Sequence, residues 1–402
     1  MSFVKKGGTR LYIEVYLNTL LSLRENFSVK LITGFRGTGK LELLKNFIEY
    51  LKSKEISEDQ IIFINFEETN TFMDFQQLYL HVNKKIANLD YAYLIFYGIQ
   101  QIDGWEKAVN AFFLGASVEI YIADSNEKIL LEKLVPLLPD NFDIIRMYPL
   151  SFSEFVQSSG TNITNLFEKY LKFGGLPCVL KYFDDDKISR QLLKGVLYES
   201  LLKDVIIKYS VRNSRLFQIM LNFLAINTGN SIKKNRLKKY FDDINRPITP
   251  FTAENYLNII SDAGFFYKIS RYDVQNDILI NGGEYFYCAD NGICNALSRF
   301  GAFNETAMIK NIVCLELLRR GYEVYCARIG TMTADFFAVS DKNRICIQVL
   351  PVENPKLAGK LLKVLRKLPD DVKKILISKE PIKIKGDIEN LTTTDFLLHD
   401  NY

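Results

Sequence analysis

The eight residues Gly34-Phe35-Arg36-Gly37-Thr38-Gly39-Lys40-Leu41 constrain this chain more than any other segment, because they fit G-x-x-x-x-G-K-[ST] at every position but the last. An apolar run, Val29 to Thr33, precedes them, and apolar residues at helical spacing follow from Leu41 to Leu51. Strand, glycine-rich turn and helix in that order make a phosphate-binding loop. The glycines let backbone N–H groups curl around phosphate oxygens, the helix start adds the positive end of its dipole, and Lys40 supplies a point charge. The last position normally offers a hydroxyl to Mg2+, and Leu41 has no oxygen to offer. The competing reading is a glycine-rich turn whose Lys40 is merely solvated.

A chain of 402 residues, 48% hydrophobic and 24% charged, has material for two or three domains with cores of their own. No apolar stretch is long enough to span a bilayer, and the first residues lack the apolar core of a signal peptide. A cytoplasmic protein without a membrane partner is therefore expected. Cys178, Cys288, Cys294, Cys314, Cys326 and Cys346 form no C-x-x-C pair, and the only histidines are His81 and His399. Reduced thiols and no metal site follow. A net charge of +4 does not demand nucleic acid as a partner, although it permits a local basic face.

Residues 1–160 alternate strand and helix as an α/β unit with a parallel sheet should. Ile61 to Phe66, Tyr93 to Phe96 and Val118 to Ala123 read as its further strands. In a phosphate-loop ATPase, one strand ends in an aspartate that orders Mg2+, followed by a glutamate that aligns the attacking water. After Tyr93 to Phe96 this chain has Tyr97 and Gly98, and neither can do that work. Trp105 is expected to pack a helix against the sheet, and Ser125 and Asn126 to cap the next helix.

Several short runs together resemble a widespread prokaryotic family of AAA-type ATPases. They are Leu31-Ile-Thr-Gly34 with the loop, Gly98-Ile-Gln100 before Gly104-Trp105-Glu106, Ser125-Asn126 and Pro149-Leu-Ser-Phe152. The resemblance continues through Phe173-Gly-Gly-Leu-Pro177, Lys203-Asp204-Val205, Arg271-Tyr-Asp273 and Leu315-Glu-Leu-Leu-Arg-Arg-Gly-Tyr322. It implies three parts: an AAA-type phosphate-loop domain (1–160), a helical and winged-helix region (161–297) and a restriction-endonuclease-like α/β domain (298–402).

The departures from that family's pattern fall on catalytic positions. The family carries Asp-Glu where this chain has Tyr97 and Gly98, and Ser or Thr where it has Leu41. Ala123 replaces a hydroxyl that senses the γ-phosphate, and Asn141 aligns with a candidate arginine finger. In the last domain, an active member would pair an aspartate with Glu-x-Lys on the next strand. Asp335 is present, but Gln348 and Leu350 occupy the later positions. Glu316, a candidate first-helix carboxylate, is expected to be an exposed helix residue.

In the middle region, Ser231 reads as the N-cap of a helix to Phe241, followed by a second helix from Thr252 to Ala263 and two strands. That order makes a winged helix, with Lys233, Lys234, Arg236, Lys238, Lys239 and Arg246 to meet DNA phosphates. Glu254 and the absence of a base-reading arginine leave a protein-binding or structural winged helix equally open. Two functions of different class remain. One is an ATPase, weak or completed by a partner subunit or a second copy. The other is a binding or scaffold protein that holds ATP or ADP at Gly34 to Leu41 without efficient hydrolysis, or binds no nucleotide. In either, Mg2+ is not expected to bind well.

Overall fold

The computed structural model describes every residue except 1–6, 70, 71, 73, 116, 160, 161, 302, 303, 342, 351–354, 385 and 400–402. The chain forms two compact units, Met1–Tyr148 with Asp262–Gly264, and Pro149–Ser261 with Phe265–Tyr402.

The first unit runs α1 (Gly7–Ser22), β1 (Val29–Thr33), α2 (Lys40–Ser53), β2 (Ile61–Asn65), α3 (Phe75–Ile86), β3 (Ala92–Tyr97), α4 (Trp105–Gly115), β4 (Val118–Ala123), α5 (Glu127–Leu134) and β5 (Phe142–Arg146). Its five strands form a parallel sheet in the order β2-β3-β4-β1-β5. A parallel sheet covered on both faces needs strands apolar on both sides. Accordingly β1 is buried throughout, as are Ala92 to Phe96 of β3. Strand β5 escapes the sequence reading because it lies at the edge, is mostly half-exposed, and carries Asp143 and Arg146. Asp74 and Asn126 cap α3 and α5, accepting from Gln77 N–H and Ile129 N–H. Trp105 and Phe112 of α4 pack with Leu78 and Val82 of α3 in the core that holds Leu94 and Phe96.

A buried ion pair, Lys30 with Glu119, enters that sheet. Lys30 is 0% exposed, with its Nζ 3.8 Å from Glu119 and 5.5 Å from the centre of the Tyr121 ring. Burial pushes its pKa down, while the Glu119 carboxylate pulls it back up.

The second unit begins with helices: α6 (Phe152–Ser159), α7 (Ile163–Phe173), α8 (Asp186–Glu199), α9 (Ser214–Ile226), α10 (Lys234–Asp243) and α11 (Pro250–Asp262). Between α8 and α9, Ser200–Ile207 winds as a π-helix that contains Lys203, Asp204 and Val205. The hairpin β6 (Phe266–Asp273) and β7 (Ile278–Cys288) leads to α12 (Asn291–Leu297) and α13 (Glu305–Arg319). The chain continues with β8 (Glu323–Ile329), β9 (Met332–Val339), β10 (Arg344–Leu350), α14 (Pro355–Leu365), β11 (Lys373–Ser378), β12 (Ile388–Thr392) and α15 (Thr393–Leu398).

These strands make one seven-stranded sheet, β12-β11-β10-β9-β8-β6-β7. The hairpin that the sequence assigns to a winged-helix region therefore shares a sheet with the last domain, and the boundary expected at 297/298 runs through a continuous unit. Arg271, Tyr272 and Asp273 pair in parallel with Cys326, Ala327 and Arg328. A ladder between residues so distant leaves no mark on local periodicity. The expected cap of α10 is also corrected. Lys233 precedes that helix without a side-chain cap, and the Ser231 hydroxyl instead donates to Gly283 O in β7.

Candidate phosphate-loop site

The loop leaves β1 at its C-terminal end and enters α2 through Gly39, whose φ of 90° is left-handed. Gly34 has φ 135°, and a Cβ there would lie 2.1 Å from Met147 O, so no other residue fits between β1 and the chain leaving β5. The Tyr12 hydroxyl of α1 lies 2.5 Å from Thr38 O and 2.6 Å from Tyr148 O, fastening that helix to the loop. Thr38 donates through Oγ1 to Phe35 O at 2.9 Å. Lys40 turns back over the loop and donates to Gly34 O at 2.6 Å and Phe35 O at 3.0 Å, with the residue only 4% exposed.

Across the loop Arg36 donates from Nη1 to both oxygens of Glu67, at 2.8 and 3.0 Å. These residues close a cavity of about 10 Å3 lined by Arg36, Lys40, Glu67, Tyr97, Gly98, Ala123, Asp124 and Ser125. That is room for about one water. The structure thus brings together Gly34 to Leu41 with Tyr97, Gly98 and Ala123 at the ends of β1, β3 and β4. It does not bring Asn141 to them. Asn141 O accepts from Val29 N–H, at the opposite end of β1 from the loop.

Residues that the sequence reading left out of this site are Glu67, Asp124 and Arg146. Asp124 follows β4, is 5% exposed and accepts from Ser125 N–H at 2.7 Å. Arg146 ends β5 beside Thr33 and clasps Glu127 with Nε and Nη2 at 2.7 to 3.0 Å. The acidic end of the second strand was the available signal for Glu67. Gly98 also shapes the backbone here, since with φ 73° it starts a short 3-10 turn, and a Cβ there would meet Glu67 Cγ at 3.1 Å.

Residues 26–156 match the family model of an AAA domain, and residues 164–304 match that of a domain of unknown function. A protein of Haemophilus influenzae, described as uncharacterised, is 30% identical over 403 aligned residues, which cover 96% of this chain and 98% of the relative. The chain belongs to this family of AAA-type, phosphate-loop ATPases. An uncharacterised relative from Methanocaldococcus jannaschii is 25% identical to this AAA-type protein, over 86% of this chain and 79% of its own length. In fold, the AAA-type protein is similar to the Walker-type ATPase of Pyrococcus abyssi, with a TM-score of 0.52 at 14% identity. That likeness covers 71% of this chain and 95% of the other.

The second candidate centre of this AAA-type protein lies on β9 and β10. Asp335 forms an ion pair with Lys310 of α13 and accepts from Val349 N–H at 2.9 Å. Gln348 donates to Thr333 O at 3.1 Å. The expectation of an exposed Glu316 is corrected: it is 3% exposed, paired with Arg319 and Arg320 at the end of its own helix. Two arginines one turn away satisfy its carboxylate, which explains how a glutamate sits in the core. No group of three or more His, Cys, Asp or Glu side chains fit to hold a metal occurs among the described residues.

On α10 and after it, Lys233, Lys234, Lys238, Lys239 and Arg246 are exposed. Lys234 pairs with Glu254 of α11 at 3.4 Å, and Arg236 donates to Asn227 at 2.5 Å. No helix of the described residues is long and apolar enough to cross a membrane.

Proposed function

We propose that the first unit holds ATP or ADP at Gly34 to Leu41 and turns it over weakly or not at all. The observation that carries this reading is the pairing of the loop's glycines and Lys40 with Tyr97 and a left-handed Gly98 at the end of β3. Backbone amides and Lys40 grip phosphates without help from the missing side chains. The donor set does not fit Mg2+: Leu41 has no oxygen, Tyr97 is no carboxylate, and Glu67 is committed to Arg36. Loss of a general base alone costs roughly 10²- to 10⁴-fold in rate. Calorimetric titration of ATP and ADP, with Mg2+ and with a chelator, tests it. Binding of similar strength in both conditions, lost in Lys40→Ala, supports the reading, and no heat in either condition overturns it.

The second unit supports a subsidiary reading as a nucleic-acid or protein interface. Helices α10 and α11 followed by the β6–β7 hairpin have winged-helix order, and the cations near α10 are exposed. Helix α13, the antiparallel strands β8 to β10, then α14 and β11 have the order of a restriction-endonuclease-like domain, with Lys310 standing where a metal would meet Asp335. Salt-dependent binding of duplex DNA that weakens on charge reversal at Lys233, Lys238 and Lys239 is the expected outcome. No shift at low salt would leave a protein partner or a second copy as the occupant.

A further inference from the structure

Apart from the phosphate loop, the second unit contains a cavity of about 440 Å3, a size that takes a nucleotide. Residues of α7, α8 and α12 line it, together with Phe300, Glu305 at the start of α13, and Lys379 just past β11.

Its aromatic wall is held in a costly backbone shape. Arg299 and Phe300 both have φ 55°, a left-handed conformation that residues with a Cβ rarely adopt in succession. Phe300 N–H donates to Asn295 O at 2.7 Å and fixes it. The Arg190 guanidinium lies 4.5 Å from the centre of the Phe300 ring. Such an arginine and aromatic pair gives a flat ligand a surface to lie against.

The polar groups are fixed as well. Asn295, 3% exposed, donates its amide hydrogens to Leu171 O at 3.3 Å and Lys172 O at 2.8 Å, which leaves its side-chain oxygen as an acceptor. Lys172 is paired with Asp186. Arg190 and Lys379 form no ion pair among the described residues, so both keep their charge for an anion. Glu168 and Glu305 add acceptors for amino or hydroxyl groups.

Two cations outside any direct ion pair, a flat wall and fixed acceptors share one nucleotide-sized space. We propose that this cavity binds a 5′-phosphorylated nucleoside, its phosphate on Arg190 and Lys379 and its base against the Phe300 side. The same chemistry is offered by a free mononucleotide and by the 5′ end of a nucleic-acid strand.

The test uses the full chain carrying Lys40→Ala, which removes the phosphate-loop lysine, and titrates it with 5′-AMP, adenosine, inorganic phosphate and a 5′-phosphorylated trinucleotide. Saturable binding of 5′-AMP is expected, with adenosine and phosphate at least about tenfold weaker. Adding Lys379→Glu, at an exposed position, is expected to weaken 5′-AMP by about tenfold or more, and Arg190→Gln by a similar factor. A trinucleotide that binds much tighter than 5′-AMP identifies a strand end as the ligand, and equal binding identifies the free nucleotide. Absence of saturable binding by either phosphorylated probe, or binding that survives both Lys379→Glu and Arg190→Gln, overturns the proposal.

Discussion

Arg36 reaches over the phosphate loop to Glu67 and places one guanidinium nitrogen 2.8 and 3.0 Å from the two carboxylate oxygens. The pair is mostly buried, with side chains 11% and 17% exposed, and it closes the space beside Lys40. On the proposed reading, a phosphate that enters that space would have to part them. Glu67→Gln is expected to weaken this latch and tighten ATP binding by roughly threefold to tenfold, about 1 kcal/mol. Calorimetry on the variant checks this, and unchanged or weaker affinity would show that the latch does not compete with the ligand.

Two of the site's glycines, Gly34 and Gly98, separate packing from catalysis. Gly34→Ala drives a Cβ to 2.1 Å from a backbone carbonyl and is expected to cost about 3 kcal/mol or more. Gly98→Ala, at φ 73°, brings its Cβ closest to side-chain atoms, Glu67 Cγ at 3.1 Å and Gln101 Nε2 at 3.5 Å, and is expected to cost about 1 to 2 kcal/mol. Thermal unfolding of the two variants measures the difference. The same strain makes Gly98→Glu a poor route to restored hydrolysis. Leu41→Ser with Tyr97→Asp is the cleaner pair, and it is expected to raise single-turnover ATP cleavage in Mg2+ above that of the natural chain. Equal cleavage in both would refute the loss of catalysis at these positions.

Asp290 is expected to make stability fall as pH rises through its titration. Burial pushes its carboxyl up to about 6 from an ordinary 3.8, against hydrogen bonds from Gly175, Ile293 and Gly292 N–H that pull it down. Between those two values the folded chain binds more protons than the unfolded one. The stabilising contribution is complete below the unfolded value and is lost as pH passes through the folded one. The swing is about 3 kcal/mol at most. Urea unfolding between about pH 4 and pH 7 is expected to show this loss in the natural chain and a flatter profile in Asp290→Asn. Parallel profiles would assign the dependence to other groups.

Lys310 and Asp335 carry a prediction for the last strands. The Lys310 ammonium is paired with the Asp335 carboxylate, and Gln348 is turned to Thr333 O. Incubation of duplex DNA with the natural chain and Mg2+ or Mn2+ is expected to give no cleavage. Gln348→Glu with Leu350→Lys is expected to remain inactive while Lys310 is present. Cleavage that disappears in Asp335→Asn is the contrary result.

By itself the sequence determined what is local in this protein. The strand, loop and helix around Gly34 to Leu41 were legible because glycine spacing and apolar periodicity act over a few residues. So were four of the five strands of the first unit's parallel sheet, β1 to β4, which are apolar runs, and the family resemblance that located Tyr97, Gly98 and Ala123. Only the tertiary structure decided which distant residues meet. The pairing of β6 with β8 joined a hairpin to a domain that the family resemblance had separated. Asn141 fell at the far end of β1 because a parallel register fixes which end of β5 lies beside the loop. Glu316 went into the core because two arginines within a turn of it satisfy its charge, and Glu67 reached Arg36 because β2 ends on the same edge of the sheet as the loop. Hydrogen-bond ladders and charge pairs across many residues set these placements, and no short window of sequence records them.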